Sequence, residues 1–516
     1  MIDRASDWHD GIEYDGKSLV YDEGNPDITY EGNPHITYED NPPITHGGKP
    51  MSIRAGIDVL SAAEKQLIHE KSLGILEKIG VHAPHTGFLR LMEEHGAVVD
   101  WQKQVMRLPA PVVNDMMDEI RRTLDKPDET DVQPLTGSVS TEVFMVDYAT
   151  KTRRPGVLDD VKKGISLLNH LPSFASADAI VVPSDVPNDV TDLVTYQMLF
   201  TYSKKPGGTY ILSPATAPYI IEMARFMQKR IYYGFQTVSP LRFMPETLEI
   251  AMIFKEQGMP AGVGPFVLSM GSGPITTAGS LLMQNAEQLA CIFCTRQLGG
   301  AARGYYSTVH PLDASTLLCS FGSPNLAVSA LAGCSMARYY GLYPGGNVGL
   351  TDSLEPDFQC GFEKALTAAF AAFSGNRSMG AQGIVGADQG ISLEQLVIDD
   401  EWISAFNYCT TGFKVDEETL AEALIHELGI GGSFISEEHT VRHFGDSYWP
   451  SSLFNRNAWD AWKTQGSRSL LERAHDKVEA YTAGYENLPH VITPGVAADL
   501  NRIVLEGMAA AAAIRH

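Results

Sequence analysis

Residues 262–309 read GVGPFVLSMGSGPITTAGSLLMQNAEQLACIFCTRQLGGAARGYYSTV, and the fold is argued from this stretch. A short apolar run, 262–269, meets a turn at Gly271-Ser272-Gly273-Pro274. A helical pattern follows over 278–298, with Leu282, Ala286, Leu289 and Phe293 on one apolar stripe. A second short run, 303–309, completes the unit. The same beat recurs around it, with candidate strands at 179–183, 208–213, 231–238, 345–350 and 378–385. Helical patterns of roughly 12 to 20 residues separate them. Short strands alternating with helices predict an α/β fold with parallel pairing. Seven or eight such units in about 280 residues suit a (β/α)8 TIM barrel. A doubly wound open sheet is the main alternative. No strand is followed by GxGxxG with an acidic residue about 20 positions later, and no GxxxxGK[ST] occurs, so the nucleotide-binding fingerprints are missing.

Outward from this core, residues 157–415 are expected to form the barrel. Residues 51–156 form an added helical region with a short hairpin. Ser61 with Glu64 three positions later is a capping box, followed by an apolar phase through Ile68, Leu73, Leu76 and Ile79. A second helix is expected over 110–124, and alternation through Val143, Met145 and Asp147 predicts a hairpin in 137–155. Residues 416–516 read as a helical C-terminal segment packing on the barrel, with a Trp-rich part from Tyr448-Trp449 to Trp459 and Trp462. Residues 1–50 carry a period-eight repeat: NPDITY at 25–30, NPHITY at 33–38 and NPPITH at 41–46. A Pro in every repeat bars a helix and favours extended chain. Two readings stand, a surface tail or an arm that wraps a neighbouring subunit of a homo-oligomer.

The net charge of −24 repels phosphate backbones, which argues against nucleic-acid binding. No apolar run reaches the roughly 18 residues of a membrane span. The start, MIDRASDWHDGIEYDG, has no apolar signal core, which predicts a cytoplasmic protein. Of the six cysteines, Cys291 and Cys294 form a CxxC inside the 278–298 helical pattern, with no second pair at finger spacing. They read first as reduced core thiols and second as a metal or redox pair. No metal site is expected.

Active sites of barrels lie at the C-terminal strand ends. The Gly271–Thr276 turn joins strand to helix, and its backbone N–H groups either hold an anion such as a carboxylate or serve only as a tight, Thr276-capped turn. Successive strand residues face opposite ways, so only one of Tyr305 and Tyr306 points inward. An inward Tyr306 is either a packed core ring or one wall of an aromatic cage for a quaternary ammonium, with Phe266 and Tyr210 as further walls. His310 is either a structural loop histidine or a base, and Glu287, beside Gln284 and Gln288 off the apolar stripe, reads as a solvated residue on composition alone.

Residues 345–364, GGNVGLTDSLEPDFQCGFEK, resemble the barrel-strand end of the trimethylamine methyltransferase family. Asp352, Pro356, Asp357, Gln359, Gly361, Glu363 and Lys364 match its pattern. The resemblance covers about residues 55–510, most specifically 279–299, 305–325, 341–364 and 380–402, with His439-Thr440 and Trp449-Pro450 further on. Where the founding trimethylamine enzymes hold pyrrolysine, this chain has Leu350. The resemblance implies a (β/α)8 barrel that hands a methyl group to the cobalt of a corrinoid carried by a partner protein, with no cofactor tightly bound to this chain. The leucine removes the covalent amine-activating residue and shifts the expected donor to a quaternary amine of the glycine betaine type. The pattern Asn285-x-Glu287-x-Leu289 recurs among relatives and raises Glu287 as a catalytic candidate. Leu350 is expected at the site floor without a covalent role, and Gln382 and His310 are expected to contact the donor's carboxylate. Direct transfer to tetrahydrofolate, a non-catalytic betaine-binding barrel and an unrelated barrel lyase remain alternatives.

Overall fold

Ser61 starts the first helix, Ala62–Lys78, as a capping box: its Oγ accepts from Glu64 N while Glu64 accepts from the Ser61 amide at 2.8 Å. Two reciprocal bonds satisfy amides that a helix start otherwise leaves unpaired. The computed structural model describes residues 57–123, 135–380 and 382–514, and the N-terminal repeats lie outside them. The second expected helix is Ala110–Thr123. The expected hairpin pairs Phe144–Val146 antiparallel with Arg153–Pro155.

From there the chain is mixed helix and strand with parallel pairing, an α/β architecture. Tyr233–Gln236 runs parallel to Ala261–Gly264, Leu268–Ser269 to His310–Pro311, Gly304–Tyr306 to Tyr343–Gly345, and Thr136–Gly137 to Ser378–Met379. Among the described residues these ladders are short, separate sheets and not one closed sheet. The expected strands at 179–183 and 208–213 are only bonded extended chain: Glu142 N donates to Ile180 O and Ala179 N to Gly208 O, each at 3.0 Å. Pro183, Pro206 and Pro214 remove ladder donors there, and Gly207-Gly208 supply no side chain to pack.

The Thr277–Gln297 helix is the central buried element, with Thr276 Oγ1 accepting from Gly279 N as its cap. It packs on the Ala62–Lys78 helix and on the 261–264 strand. Its polar residues are buried too, which corrects the solvated reading of Glu287. A helix covered on all sides presents no solvated face, so its polar side chains must pair with backbone or with one another. Further on, the helices Leu470–Thr482 and Pro494–Ile514 pack on the helical layer, the first against Leu158–Leu168 and Leu393–Thr411, the second against Thr191–Tyr202 and Ala217–Phe226.

Candidate active site at the strand ends

The residues of the 345–364 run build a scaffold. Asp357 caps the Phe358–Ala372 helix, its Oδ1 accepting from Cys360 N at 2.8 Å. One turn on, Glu363 Oε2 accepts from Thr351 Oγ1 at 2.7 Å and Asp352 N at 2.8 Å. Asp352 in turn accepts from the amides of Phe321 and Gly322. Lys364 is buried and donates to Gly349 O, Gln382 Oε1 and Asp399 Oδ2 at 3.0, 3.3 and 3.1 Å. Gly349 has φ +75, and a Cβ there would sit 2.8 Å from the Trp402 ring, so only glycine fits. The chain is thus clamped on both sides of Leu350.

Leu350 itself is 0% exposed and packs with Phe321 and Ile384, with Phe266, Cys319 and Ala387 against them. Beside this cluster lies His310, also fully buried. Phe266 stacks on its ring at 4.4 Å, Phe321 meets it edge-on at 5.0 Å, and Tyr306 lies 6.0 Å away. Neither His310 ring nitrogen has a hydrogen-bond partner, and burial pushes its pKa down to about 3. The imidazole is therefore neutral at ordinary pH. The Tyr306 hydroxyl is also buried and makes no hydrogen bond of proper geometry, with Thr308 beside it. Tyr305 turns the other way and donates to Asn285 Oδ1 at 2.9 Å, as strand alternation requires.

Phe266 also lines a cavity of about 410 Å³, open to the surface, with Ser140, Tyr210, Gln236, Asn347 and Asp388 among its walls. Tyr210 is 51% exposed into this space and exchanges a 2.9 Å hydrogen bond with Ser140. Asp388 sits at the tip of the hairpin joining Ile384–Val385 to Gly390–Ile391, with Ala387 and Asp388 both left-handed at φ +52 and +63. Two consecutive non-glycine residues in that region are strained, a pattern concentrated at functional sites. Desolvation pushes the Asp388 carboxyl up to about 6. It pushes buried Glu142 up to about 8, with the Asp388 charge adding to the effect.

Of the sequence candidates, the structure brings Tyr306, Phe266, His310 and Leu350 into one cluster, of which Phe266 lines the cavity that Tyr210 also lines. Gln382 and Glu287 are placed differently. Gln382 spends its amide on Val348 O and Gly380 O while its Oε1 receives Lys364, so it supports the Leu350 strand end from behind. Glu287 accepts from Thr237 Oγ1, Ser239 Oγ and Leu241 N at 2.6–2.7 Å and so holds the 237–241 loop. Burial pushes its carboxyl up against those bonds. In the Gly271–Thr276 turn the Gly271, Ser272 and Gly273 N–H groups all donate to Leu268 O, so these three amides are not free to hold an anion. Cys291 and Cys294 are buried free thiols, and no metal-ligand cluster occurs among the described residues. Sequence reading missed Asp388 and Glu142. The Gly-Ala-Asp-Gln-Gly run at 386–390 between apolar pairs was a hairpin signal that would have exposed Asp388.

Residues 43–506 match the trimethylamine methyltransferase (MTTB) family. The chain is 25% identical over 475 residues to a glycine betaine methyltransferase of Desulfitobacterium hafniense (strain Y51), spanning 87% of this chain and 97% of that one. It is 24% identical over 469 residues to the trimethylamine methyltransferase MttB of Desulfitobacterium hafniense (strain DSM 10664 / DCB-2), with 87% and 94% covered. It is 27% identical over 476 residues to the trimethylamine methyltransferase MttB of Methanosarcina barkeri, again with 87% and 94% covered.

Proposed function

Because this chain belongs to the trimethylamine methyltransferase family, and so is a methyltransferase, we propose that it moves a methyl group from a quaternary amine to the cobalt(I) of a corrinoid carried by a partner protein. The observation that carries this reading is Leu350: a buried, inert side chain stands at the position matching pyrrolysine, in the cluster against which the cavity residue Phe266 packs. Without a covalent activator, the donor must bring its own leaving group. A quaternary nitrogen does so, because the N–CH₃ bond breaks with its electron pair staying on nitrogen, and a neutral tertiary amine departs. A neutral tertiary amine as donor would have to leave as an amide anion. The corrinoid, when docked, supplies the nucleophile that takes the methyl group.

The chain's own residues then bind, orient and exclude water. Tyr306, Phe266 and Tyr210 serve as cage walls, since aromatic faces attract a quaternary ammonium with little desolvation cost. His310, neutral and without a hydrogen-bond partner under the Phe266 ring, is the proposed polar contact to the donor. Leu350 serves as the floor, and Glu287 and Gln382 act as positioning residues through the 237–241 loop and the Leu350 strand end. No proton transfer is required, which agrees with a histidine that burial keeps neutral at ordinary pH. The parallel contacts run in cyclic order, from 136–142 to 174–182 to 206–208, from 233–236 through 261–269 to 304–311 and 343–345, and from 378–379 back to 136–137. That order supports an eight-stranded barrel with the cavity at its strand-end face. The test is a demethylation screen of quaternary and tertiary amines with free cob(I)alamin, followed by cobalt absorbance. Turnover of a quaternary donor with trimethylamine inactive is the expected result, and efficient trimethylamine demethylation overturns the reading.

A further inference from the structure

Resting on that reading, we propose that the donor is a quaternary ammonium cation that carries no carboxylate, an ammonium alcohol of the choline class or a tetraalkylammonium, and not a zwitterionic betaine. Among the described residues no Lys or Arg lines the cavity, whereas Asp388 does and Glu142 lies within electrostatic reach of Asp388. The buried cation behind the Leu350 strand end, Lys364, is paired with Asp399 and turned onto Gly349 O and Gln382 Oε1. The three turn amides at Gly271, Ser272 and Gly273 are spent on Leu268 O. A betaine entering this cavity would bury a carboxylate with no cation to meet it and a like charge at Asp388. Burying an unpaired carboxylate is among the costliest acts in a protein interior.

A cation without a carboxylate meets the opposite situation. Its methyl groups face the rings of Phe266 and Tyr210, and its charge faces Asp388. Asp388 and Asp178 both stand on the cavity wall, Asp178 held by Ser176 and Gly208 N, and no wall residue among those described is a Lys or Arg, so the walls suit a positive charge. The orphaned polar atoms complete the match. The two His310 ring nitrogens, under the Phe266 ring, and the buried Tyr306 hydroxyl, with Thr308 beside it, make no hydrogen bond of proper geometry. A neutral imidazole and a phenol suit a neutral hydroxyl, such as an ammonium alcohol bears.

The experiment is titration calorimetry of the full chain with choline, tetramethylammonium and glycine betaine, beside the cobalt absorbance assay with the same three compounds. The expected result is that choline or tetramethylammonium binds at least about tenfold more tightly than glycine betaine, and that Asp388→Asn narrows the gap to about threefold or less. Asparagine tolerates the left-handed backbone at 388, so this variant keeps the hairpin. Glycine betaine binding equally well or better, with turnover, overturns the inference and leaves quaternary-amine demethylation standing. Binding and turnover of none of the three, with trimethylamine turned over, overturns both. A gap unchanged in Asp388→Asn overturns the electrostatic basis assigned here.

Discussion

At the scale of single residues the cavity makes two kinds of demand on a ligand, one from its rings and one from its carboxyls. The ring demand is tested at Tyr306. Cation–π contacts contribute about 0.5–2 kcal/mol, so Tyr306→Ala should weaken quaternary ammonium binding roughly 2- to 30-fold. Tyr306→Phe keeps the face and should cost far less, and equal losses in calorimetry would assign the effect to the hydroxyl. The carboxyl demand is tested by pH with tetramethylammonium, which has no titratable group. The groups in and around the cavity are Asp388, Glu142, Asp178, Tyr210, Tyr306, His310 and Cys319. Asp178 is tied up by Ser176 and Gly208 N, burial raises Tyr210, Tyr306 and Cys319, and His310 stays neutral above about 3. Asp388 and Glu142 therefore dominate. A cation favours their ionised forms, so affinity should be weakest below pH 6, rise as Asp388 ionises near 6, and rise again as Glu142 ionises near 8. The apoprotein shows the reverse in stability. Both pKa values lie above the roughly 4 of unfolded carboxyls, so the folded chain holds extra protons and loses stability as pH rises toward 8. A flat binding profile from pH 5 to 9 would remove both carboxyls from the site.

At the scale of elements, the loop carrying Leu350 is rigid because the Phe358–Ala372 helix holds it through Glu363 and Lys364. The Lys364–Asp399 pair is almost fully buried on both sides. Removing one member of a buried pair strands the other, so Lys364→Met should cost about 3–5 kcal/mol, read from chemical denaturation. A loss below about 1 kcal/mol would mean that Asp399 is satisfied by Gly383 N, Gln395 and Trp402 without the lysine. This network also shows where sequence reading reaches and where it stops. Local chemistry was legible: the Ser61–Glu64 box, the Thr276 cap and the divergence of Tyr305 from Tyr306 all follow from spacing. Strand existence at 231–238, 262–269 and 303–309 was legible from apolar runs, although prolines and glycines reduced 208–213 to extended chain. Burial of a charged residue was not legible. Glu287 sits on a helix whose polar positions look solvated until the surrounding layers are known. Its three partners lie 46 to 50 residues away in sequence. The closeness of Glu142 to Asp388 was missed for the same reason, because the two carboxyls stand 246 positions apart and only the assembled strand ends bring them together.

At the scale of the whole molecule, most of the chain is a buried α/β body, but the four helices Glu417–Leu420, Glu422–Leu428, Glu438–Ser447 and Trp459–Thr464 bury no residue. No helix among the described residues is long and apolar enough to cross a membrane. The N-terminal repeats pose a separable question: whether the body needs them. The first described residues already hold the chain to that body. Ile57 O accepts from Arg338 at 2.8 Å, Val59 N donates to Ser335 Oγ at 3.4 Å, and Asp58 pairs with Lys65. All of these contacts survive in a chain that begins at Met51. The removed segment lies outside the described residues, and the Pro in each of its eight-residue repeats is the sequence ground for expecting an arm or a tail and no part of the core. A chain starting at Met51 should therefore melt within about 2 °C of the full chain, a shift that corresponds to about 2 kcal/mol or less at this size. Its oligomer size, read by light scattering, is where a wrapping arm would be felt. A smaller assembly with an unchanged melting temperature supports the arm, and an unchanged assembly assigns the repeats to a surface tail. A chain starting at Met51 that fails to fold contradicts both, because it would place part of the core before Ile57, where the repeats offer only short apolar runs between prolines.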